Sequence, residues 1–384
     1  MPDQPQPPDV AFVDDPGAVA DALASVAADV VGVDVERADA DRYFRRAALV
    51  QVGIAGRCAL FDGVAIETLP ELDAFLGPGR LTVLHAAEND LEPLAAMAVR
   101  PARVADTAVA AALLGLPTGL GILLSDLLDV EADGDKSAFQ RADWAARPLS
   151  SPMAAYAAGD VVHLPALWAQ LSSRLEAAGR TSWYQEELTW IVRRAADDTR
   201  AWIRVKGAGR LTPRQRAVLR ALWEERERIA RDQDLAPNRL LHDDVLRDLA
   251  SDPPRTEAQL VRRSHRRRSL LRAHAPALLA AVERGLGNAP ELSDGGPRRW
   301  SDRDRAMFDA LRQARAEVAV DLGLDPGVLC PSRALWLAIG GSPEDGRDLC
   351  QLAGLRSWQT DLLADPLWKA YTTAGVADDE ERQG

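Results

Sequence analysis

The chain is poor in cysteine, nearly empty of lysine and without a long apolar run, and each shortage excludes something. Its three cysteines, Cys58, Cys330 and Cys350, are odd in number and scattered, so no disulfide framework is expected and a cytoplasmic setting suits them. No apolar stretch approaches the ~20 residues of a membrane helix, and the opening "MPDQPQPPDV" is proline-rich and acidic rather than basic and apolar. Neither a signal peptide, a membrane span nor a membrane partner is expected. No Gly-x-x-x-x-Gly-Lys-Ser/Thr loop occurs, which removes the usual cradle for a nucleoside triphosphate. The histidines stand at no zinc spacing from the cysteines, so His85 and His163 read as structural. Lysine occurs only at Lys136, Lys206 and Lys369, leaving the positive charge to arginine. Arginine suits bidentate phosphate contacts, although GC-rich coding gives the same bias.

What remains is a globular composition, 47% apolar and 27% charged over 384 residues, long enough for two or three domains. A formal net charge of -12 speaks against a nucleic-acid partner only until its distribution is read. Residues 201–290 hold 19 Arg and Lys against 11 Asp and Glu, so one basic module sits among acidic ones.

Between Val30 and Val104 the runs "VVGVDVE", "ALVQVGI", "CALFDG", "LTVLHAA" and "RVAD" are β-branched or apolar and separated by turn or helix signals. They predict an α/β domain with a mixed sheet. From "DTAVAAALLG" onward apolar residues recur at helical spacing. Thr212 and Pro213 open a helix with Val218, Leu219, Leu222 and Trp223 on one stripe, and a similar rhythm of helices returns roughly 85 residues later. The expected layout is a disordered lead-in at 1–9, an α/β domain at 10–204, a helical domain at 205–290, a linker at 291–298, a second helical domain at 299–376 and a disordered tail at 377–384.

Inside "VGVDVERADA" two carboxylates, Asp34 and Glu36, interrupt an apolar run. Residues i and i+2 of a strand share a face, so both point off one side of the sheet. Buried together they are costly unless a cation offsets their charge, although Asp-x-Glu also suits a solvated strand end. Asp90 in "HAAENDLEPL" lies where a strand runs into a helix and reads equally as an ordinary cap. In "SSPMAAYAAGDVVHLPALWAQL", Ser150 or Ser151 caps, Pro152 opens a helix, and Tyr156 and Asp160 share a face four residues apart. Asp106 of "ADTAVAA" reads as a cap for the next helix.

In that order and at these intervals, "VDVERADADRYFRRAALVQVG", "HAAENDLEPL", "DTAVAAALLG", "GDKSAFQRADWAARPLS" and "YAAGDVVHLPALWAQL" resemble the bacterial ribonuclease D family over roughly residues 28–172. The helical repeats look like a tandem pair of helicase-and-RNase-D C-terminal (HRDC) modules. The resemblance implies a ribonuclease-H-like α/β exonuclease domain followed by two all-α HRDC-like domains. It makes Asp34 and Glu36 the first motif, Asp90 the second and Asp160 the third, with Tyr156 orienting the attacking water. A sister branch has histidine where this chain has Ala155, so the tyrosine branch is indicated. Val35, where the family more often carries threonine, and Gly159 depart from the pattern without removing a ligand.

Phosphodiester hydrolysis needs an activated water, charge stabilisation at phosphorus and help for the leaving oxygen, which two Mg²⁺ or Mn²⁺ ions about 3.5–4 Å apart supply. Hard cations prefer oxygen ligands, which suits four carboxylates. By the resemblance Asp34 bridges both ions, Glu36 and Asp160 hold the water-side ion, and Asp90 supports the other largely through water. An unperturbed phenol has a pKa of about 10, so Tyr156 aims a water rather than deprotonating it easily. Trp144 reads as packing, and Lys136 or Arg147 as phosphate contacts. "VRRSHRRRSLLR" crowds Arg262, Arg263, Arg266, Arg267 and Arg268 on little more than two turns, a pattern that favours RNA-backbone binding over a merely solvated face. The expectation is a metal-dependent 3′-to-5′ exoribonuclease acting on RNA with a free 3′ end, by resemblance tRNA precursors with 3′ extensions, and releasing nucleoside 5′-monophosphates. The alternatives are a proofreading-type DNA exonuclease and a non-catalytic RNA-binding protein.

Overall fold

The computed structural model describes residues 7–130, 139, 142–196, 201–263, 268–288 and 300–381. Lys136, Arg266, Arg267 and the expected linker at 291–298 lie outside the described residues. Contacts divide the chain into two compact units, one comprising residues 1–37, 47–197 and 300–384, the other 38–46 and 198–299.

The first unit is built on a six-stranded sheet, β1 (Asp9–Val13), β2 (Val30–Arg37), β3 (Ala47–Ile54), β4 (Arg57–Asp62), β5 (Leu81–Leu84) and β6 (Val104–Asp106), in the order β1-β4-β3-β2-β5-β6. Antiparallel pairing joins β2 to β3 and β3 to β4; the remaining pairs are parallel, so the sheet is mixed as expected. The five anticipated runs are all strands, and β1 is an additional edge strand reaching into the expected lead-in. Alternation divides the sheet chemically. Val31, Val33, Val35, Val50, Val52, Ala59, Phe61 and Leu84 face one core, packed with Leu23 of α1 (Val19–Ser25), Leu72 of α2 (Pro70–Phe75) and Leu94 of α3 (Leu91–Ala96).

Asp34 and Glu36 have the opposite parity and point off the other face, beside Gln51 and Leu49 in register on β3. This face lies under α6 (Ser151–Val162) and α7 (Leu164–Ala177), reached through α4 (Thr107–Leu113) and α5 (Leu120–Leu128). Two glycines permit the approach. A Cβ on Gly32 would lie 2.2 Å from the carbonyl oxygen of Val161, and one on Gly53 would lie 2.6 Å from its Cγ2. Without side chains there, the helix carrying Tyr156 and Asp160 settles directly over β2 and β3.

After α8 (Thr181–Ala196) the described residues form two runs of five α-helices. The first is α9 (Pro213–Asp232), α10 (Pro237–Leu240), α11 (Asp243–Ser251), α12 (Glu257–Arg262) and α13 (Arg268–Gly287); the second is α14 (Asp302–Leu322), α15 (Pro326–Leu329), α16 (Ser332–Gly341), α17 (Gly346–Leu352) and α18 (Ser357–Glu381). Capping boxes at Thr212 and Ser301 open them, 89 residues apart. A buried arginine recurs at the same interval. Arg226 Nη1 donates to Leu241 O at 3.0 Å and Asp243 Oδ1 at 2.7 Å; Arg315 Nη1 donates to Cys330 O at 2.5 Å and Ser332 Oγ at 3.3 Å. The disordered tail expected at 377–384 is corrected in part, since α18 continues to Glu381.

The two runs are placed differently. The first forms the second unit with residues 38–46, where Asp234 accepts from the N–H groups of Tyr43 and Phe44, both at 3.1 Å, and from Arg42 at 2.7 Å. The second is fastened into the first unit. Glu187 on α8 forms a bidentate pair with Arg356 at 2.6 and 2.7 Å and accepts from Trp358 Nε1 at 2.8 Å, while Trp183 stacks on Trp358. Arg180 joins the C-terminal carbonyls of Leu113 and Leu322 at 2.7 and 2.6 Å.

Candidate active site

Two elements bring three of the four predicted carboxylates to one place. Strand β2 supplies Asp34 and Glu36, α6 supplies Asp160, and ligand oxygens of these three all lie within 4.8 Å of one another. Ser150 caps α6 by accepting from Met153 N–H, and Pro152 lies in its first turn, which fixes where Tyr156 and Asp160 emerge. Asp90 follows the short 3₁₀ turn Ala87–Asn89 and opens α3. Its side chain makes no capping bond there, which removes the ordinary explanation for it. Asp90 is 3% exposed, and among the described residues its Oδ2 has no hydrogen-bond partner. It lies outside the 4.8 Å group, yet the charges of Asp34 and Glu36 reach it.

The electrostatics are those of negative charge confined by burial, which Arg37 and a backbone hydrogen bond offset only in part. Burial, then Asp160, raises the Asp34 pKa to about 7. Burial, then Asp34 and Asp160, raises that of Glu36 to about 8. Asp90 is pushed well above the usual carboxylate range by burial first and then by Asp34. Such a site keeps protons until a cation replaces them. An all-oxygen donor set with a buried orphan oxygen fits a hard divalent ion, and neither sulfur nor imidazole enters the group to favour a softer metal.

Tyr156 hydrogen-bonds Asp160, and its phenol is pushed above its usual value by burial and then by Asp160 and Glu36. That direction opposes a role as base and suits a neutral O–H that aligns a neighbour. Its ring stacks on Phe139 at a 4.9 Å centroid separation and lies 6.1 Å from Trp144, whose Nε1 donates to Phe139 O. Trp144 therefore packs as read, and also backs Tyr156.

Arg147 requires a correction. It donates to Asp62 through Nε at 2.7 Å and Nη2 at 2.5 Å, to Trp144 O and Ala146 O through Nη1, and to Ala48 O through Nη2. An arginine has five N–H donors, and these five bonds engage them internally, so Arg147 is a brace and not a phosphate contact. His163 is the residue that follows α6, and His85 Nδ1 lies 2.8 Å from Thr107 Oγ1. Arg262, Arg263 and Arg268 are exposed on the second unit. Arg262 and Arg268 line a shallow depression with Arg272 and Glu257; Arg263 pairs with Asp252. Sequence reading gave no role to Gly32 and Gly53; their bare backbone beside the Asp-x-Glu motif was the available signal.

A 3′-5′ exonuclease family model matches residues 10–176, and an HRDC domain model matches residues 215–282. Ribonuclease D of Jannaschia sp. (strain CCS1) is 34% identical over 316 residues, covering 75% of this chain and 78% of its own length. Ribonuclease D of Pseudomonas paraeruginosa (strain DSM 24068 / PA7) is 29% identical over 353 residues, covering 90% and 92%. Among solved structures, Escherichia coli RNase D, an exoribonuclease involved in structured RNA processing, aligns with a TM-score of 0.77 at 26% identity, over 95% of this chain and 99% of that one. The catalytic core of RRP6 from Trypanosoma brucei shares the fold, with a TM-score of 0.56 at 20% identity over 74% of this chain and 81% of its own.

Proposed function

Since the chain belongs to the ribonuclease D family and is accordingly a 3′-to-5′ exoribonuclease, we propose that it trims 3′ extensions of structured RNA, tRNA precursors above all, and releases nucleoside 5′-monophosphates. The observation that carries the catalytic assignment is the convergence of Asp34, Glu36 and Asp160 within 4.8 Å, with the buried Asp90 close enough to feel the charge of Asp34 and Glu36.

Divalent cations are implied by this donor set, and we assign them as two Mg²⁺ or Mn²⁺ ions held by Asp34, Glu36, Asp90 and Asp160. Bound there, they supply charge neutralisation at phosphorus and a more acidic water. The protein's own groups do the rest. Strand β2 fixes Asp34 and Glu36 at a spacing set by the pleat, so little reorganisation is left for the reaction. Tyr156, neutral and hydrogen-bonded to Asp160, is placed to orient the water that attacks the terminal phosphodiester. Phe139 and Trp144 limit its swing.

We assign both helical runs as HRDC modules and Arg262, Arg263 and Arg268 as contacts to the RNA backbone, which carry affinity rather than sequence preference. A cytoplasmic setting suits the three buried, free cysteines. The test is product analysis on a tRNA precursor bearing its 3′ trailer, with matched RNA and DNA oligonucleotides alongside. Stepwise release of 5′-monophosphates in the presence of Mg²⁺ or Mn²⁺, lost in Asp34→Asn, is expected; no shortening of any 3′-hydroxyl RNA with either ion would refute it.

A further inference from the structure

The turn that delivers Asp90 is held in place by residues outside the carboxylate group. Ala86, just ahead of that turn, has a φ of 62°, a left-handed conformation that residues with a Cβ avoid unless their surroundings enforce it. The enforcement comes from β6. Asp106, fully buried, accepts four backbone N–H groups: Ala86 at 3.1 Å, Ala108 at 2.8 Å and Val109 at 3.2 Å on Oδ1, and Ala87 at 2.8 Å on Oδ2. Thr107 Oγ1 donates to Leu84 O at 3.1 Å and lies 2.8 Å from His85 Nδ1. Two residues thereby fix four consecutive ones, Leu84 to Ala87. Asp106 is held in turn by α8, its own N–H donating to Tyr184 Oη at 2.7 Å, and Arg194 of that helix pairs with Glu88 inside the turn.

Capping α4 needs only the bonds from Ala108 and Val109. Those from Ala86 and Ala87 contribute nothing to α4 and act on the approach to Asp90. With both of its oxygens engaged by backbone amides, Asp106 has no role as a ligand itself. We propose that Asp106 is a positioning residue for Asp90, locking the left-handed turn that aims the unpartnered Asp90 Oδ2 at the cation site. The proposal rests on the reading of Asp90 as part of that site.

Asp106→Asn separates the two roles. Asparagine caps a helix as well as aspartate does, so α4 keeps its start. Its amide, however, takes the place of Oδ2 and presents a donor to the Ala87 N–H, so the bond that holds Ala87 is broken while the oxygen keeps those from Ala86, Ala108 and Val109. Mg²⁺ binding is measured by calorimetry without RNA, together with hydrogen exchange of the Ala86 and Ala87 amides, the unfolding midpoint and RNA affinity. The expected result is a 10- to 100-fold weaker Mg²⁺ affinity, roughly the range for residues that support metal ligands. Faster exchange at Ala87 should accompany it, with RNA affinity within about two-fold. Tyr184→Phe, which leaves Asp106 intact and removes only its support, should give a smaller loss in the same direction. Unchanged Mg²⁺ affinity in Asp106→Asn, with or without a lower unfolding midpoint, would reduce Asp106 to a cap and overturn the proposal. Asp90→Asn is the control. If it weakens Mg²⁺ binding and Asp106→Asn does not, only the proposal fails; if Asp90→Asn has no effect, the reading of the site fails and takes the proposal with it.

Discussion

The carboxylate face of the sheet and the arginine face of the second unit both crowd like charges, and they handle the crowding in opposite ways. On the sheet, burial and mutual repulsion hold Asp34 near 7 and Glu36 near 8, so the negative charge is parked as protons until a cation arrives. On the second unit the arginines stay in water, where carboxylates such as Asp252 and Glu257 stand opposite Arg263 and Arg272 and solvent screens what is left. On the proposed reading the carboxylate face responds to pH and divalent ions, and the exposed face to ionic strength. The helical repeat adds a second contrast on one scaffold. Residues 201–290 carry 19 basic against 11 acidic residues, whereas residues 300–376 carry 8 against 11 and tie themselves to α8 through Glu187 and Arg356.

The sharpest break of the first contrast removes one carboxylate of the half-buried group. Asp34→Asn or Asp160→Asn should lower trimming by at least about 1,000-fold, the scale of several kcal/mol of lost transition-state stabilisation, while RNA affinity stays nearly constant. Rate and binding measured on one oligonucleotide test this; retained cleavage removes the residue from the site.

Next in size is a stability contrast between the two kinds of ion pair. Arg356→Ala leaves Glu187, 8% exposed, without its charged partner and held by the Trp358 hydrogen bond, and should cost about 3 kcal/mol in denaturant unfolding. Arg263→Ala breaks a pair whose partners are 41% and 74% exposed, and should cost under about 1 kcal/mol. Equal losses would erase the distinction.

The third prediction concerns pH. Because the folded pKa values of Asp34 and Glu36 lie above the ordinary carboxylate range, the metal-free fold binds more protons than the unfolded chain between about pH 4 and 8, and its stability falls as pH rises through that window. The unfolding midpoint in EDTA should decline from pH 5 to 8 and recover with Mg²⁺, and Asp34→Asn should flatten the decline. A slope unchanged in that variant would place the protons elsewhere.

The smallest effect belongs to the exposed face. Replacing Arg262, Arg263 and Arg268 with alanine should weaken RNA binding and reduce the salt slope by about 0.7 for each lost phosphate contact, leaving cleavage of saturating RNA unchanged. An unaltered slope would return these residues to a solvated surface.

Legibility in the sequence followed locality. Strands β2 to β6 announced themselves by composition, and alternation along β2 placed Asp34 and Glu36 on one face. β1 passed unread because five residues beside a proline-rich opening give too short a pattern. The resemblance of the motifs to the ribonuclease D family picked out Asp90, Tyr156 and Asp160, but Asp90 looked like a cap until its side chain was seen to make no capping bond. Asp106 was read as a cap, and it is one; its bonds to Ala86 and Ala87 span 20 and 19 residues and follow no helical or strand period. Arg147 looked like a free cation because its partners, Asp62 and Ala48, lie 85 and 99 residues away. The grouping of residues 300–384 with the sheet depends on Glu187 and Arg356, 169 residues apart, and nothing local marks such a pair.

The account's central claim is that Asp34, Glu36 and Asp160, supported by Asp90, form a cation site. Anomalous diffraction from crystals grown with Mn²⁺ tests it most directly. The prediction is manganese in contact with the carboxylates of Asp34, Glu36 and Asp160, lost in Asp34→Asn; no manganese there at a concentration that supports cleavage would contradict it.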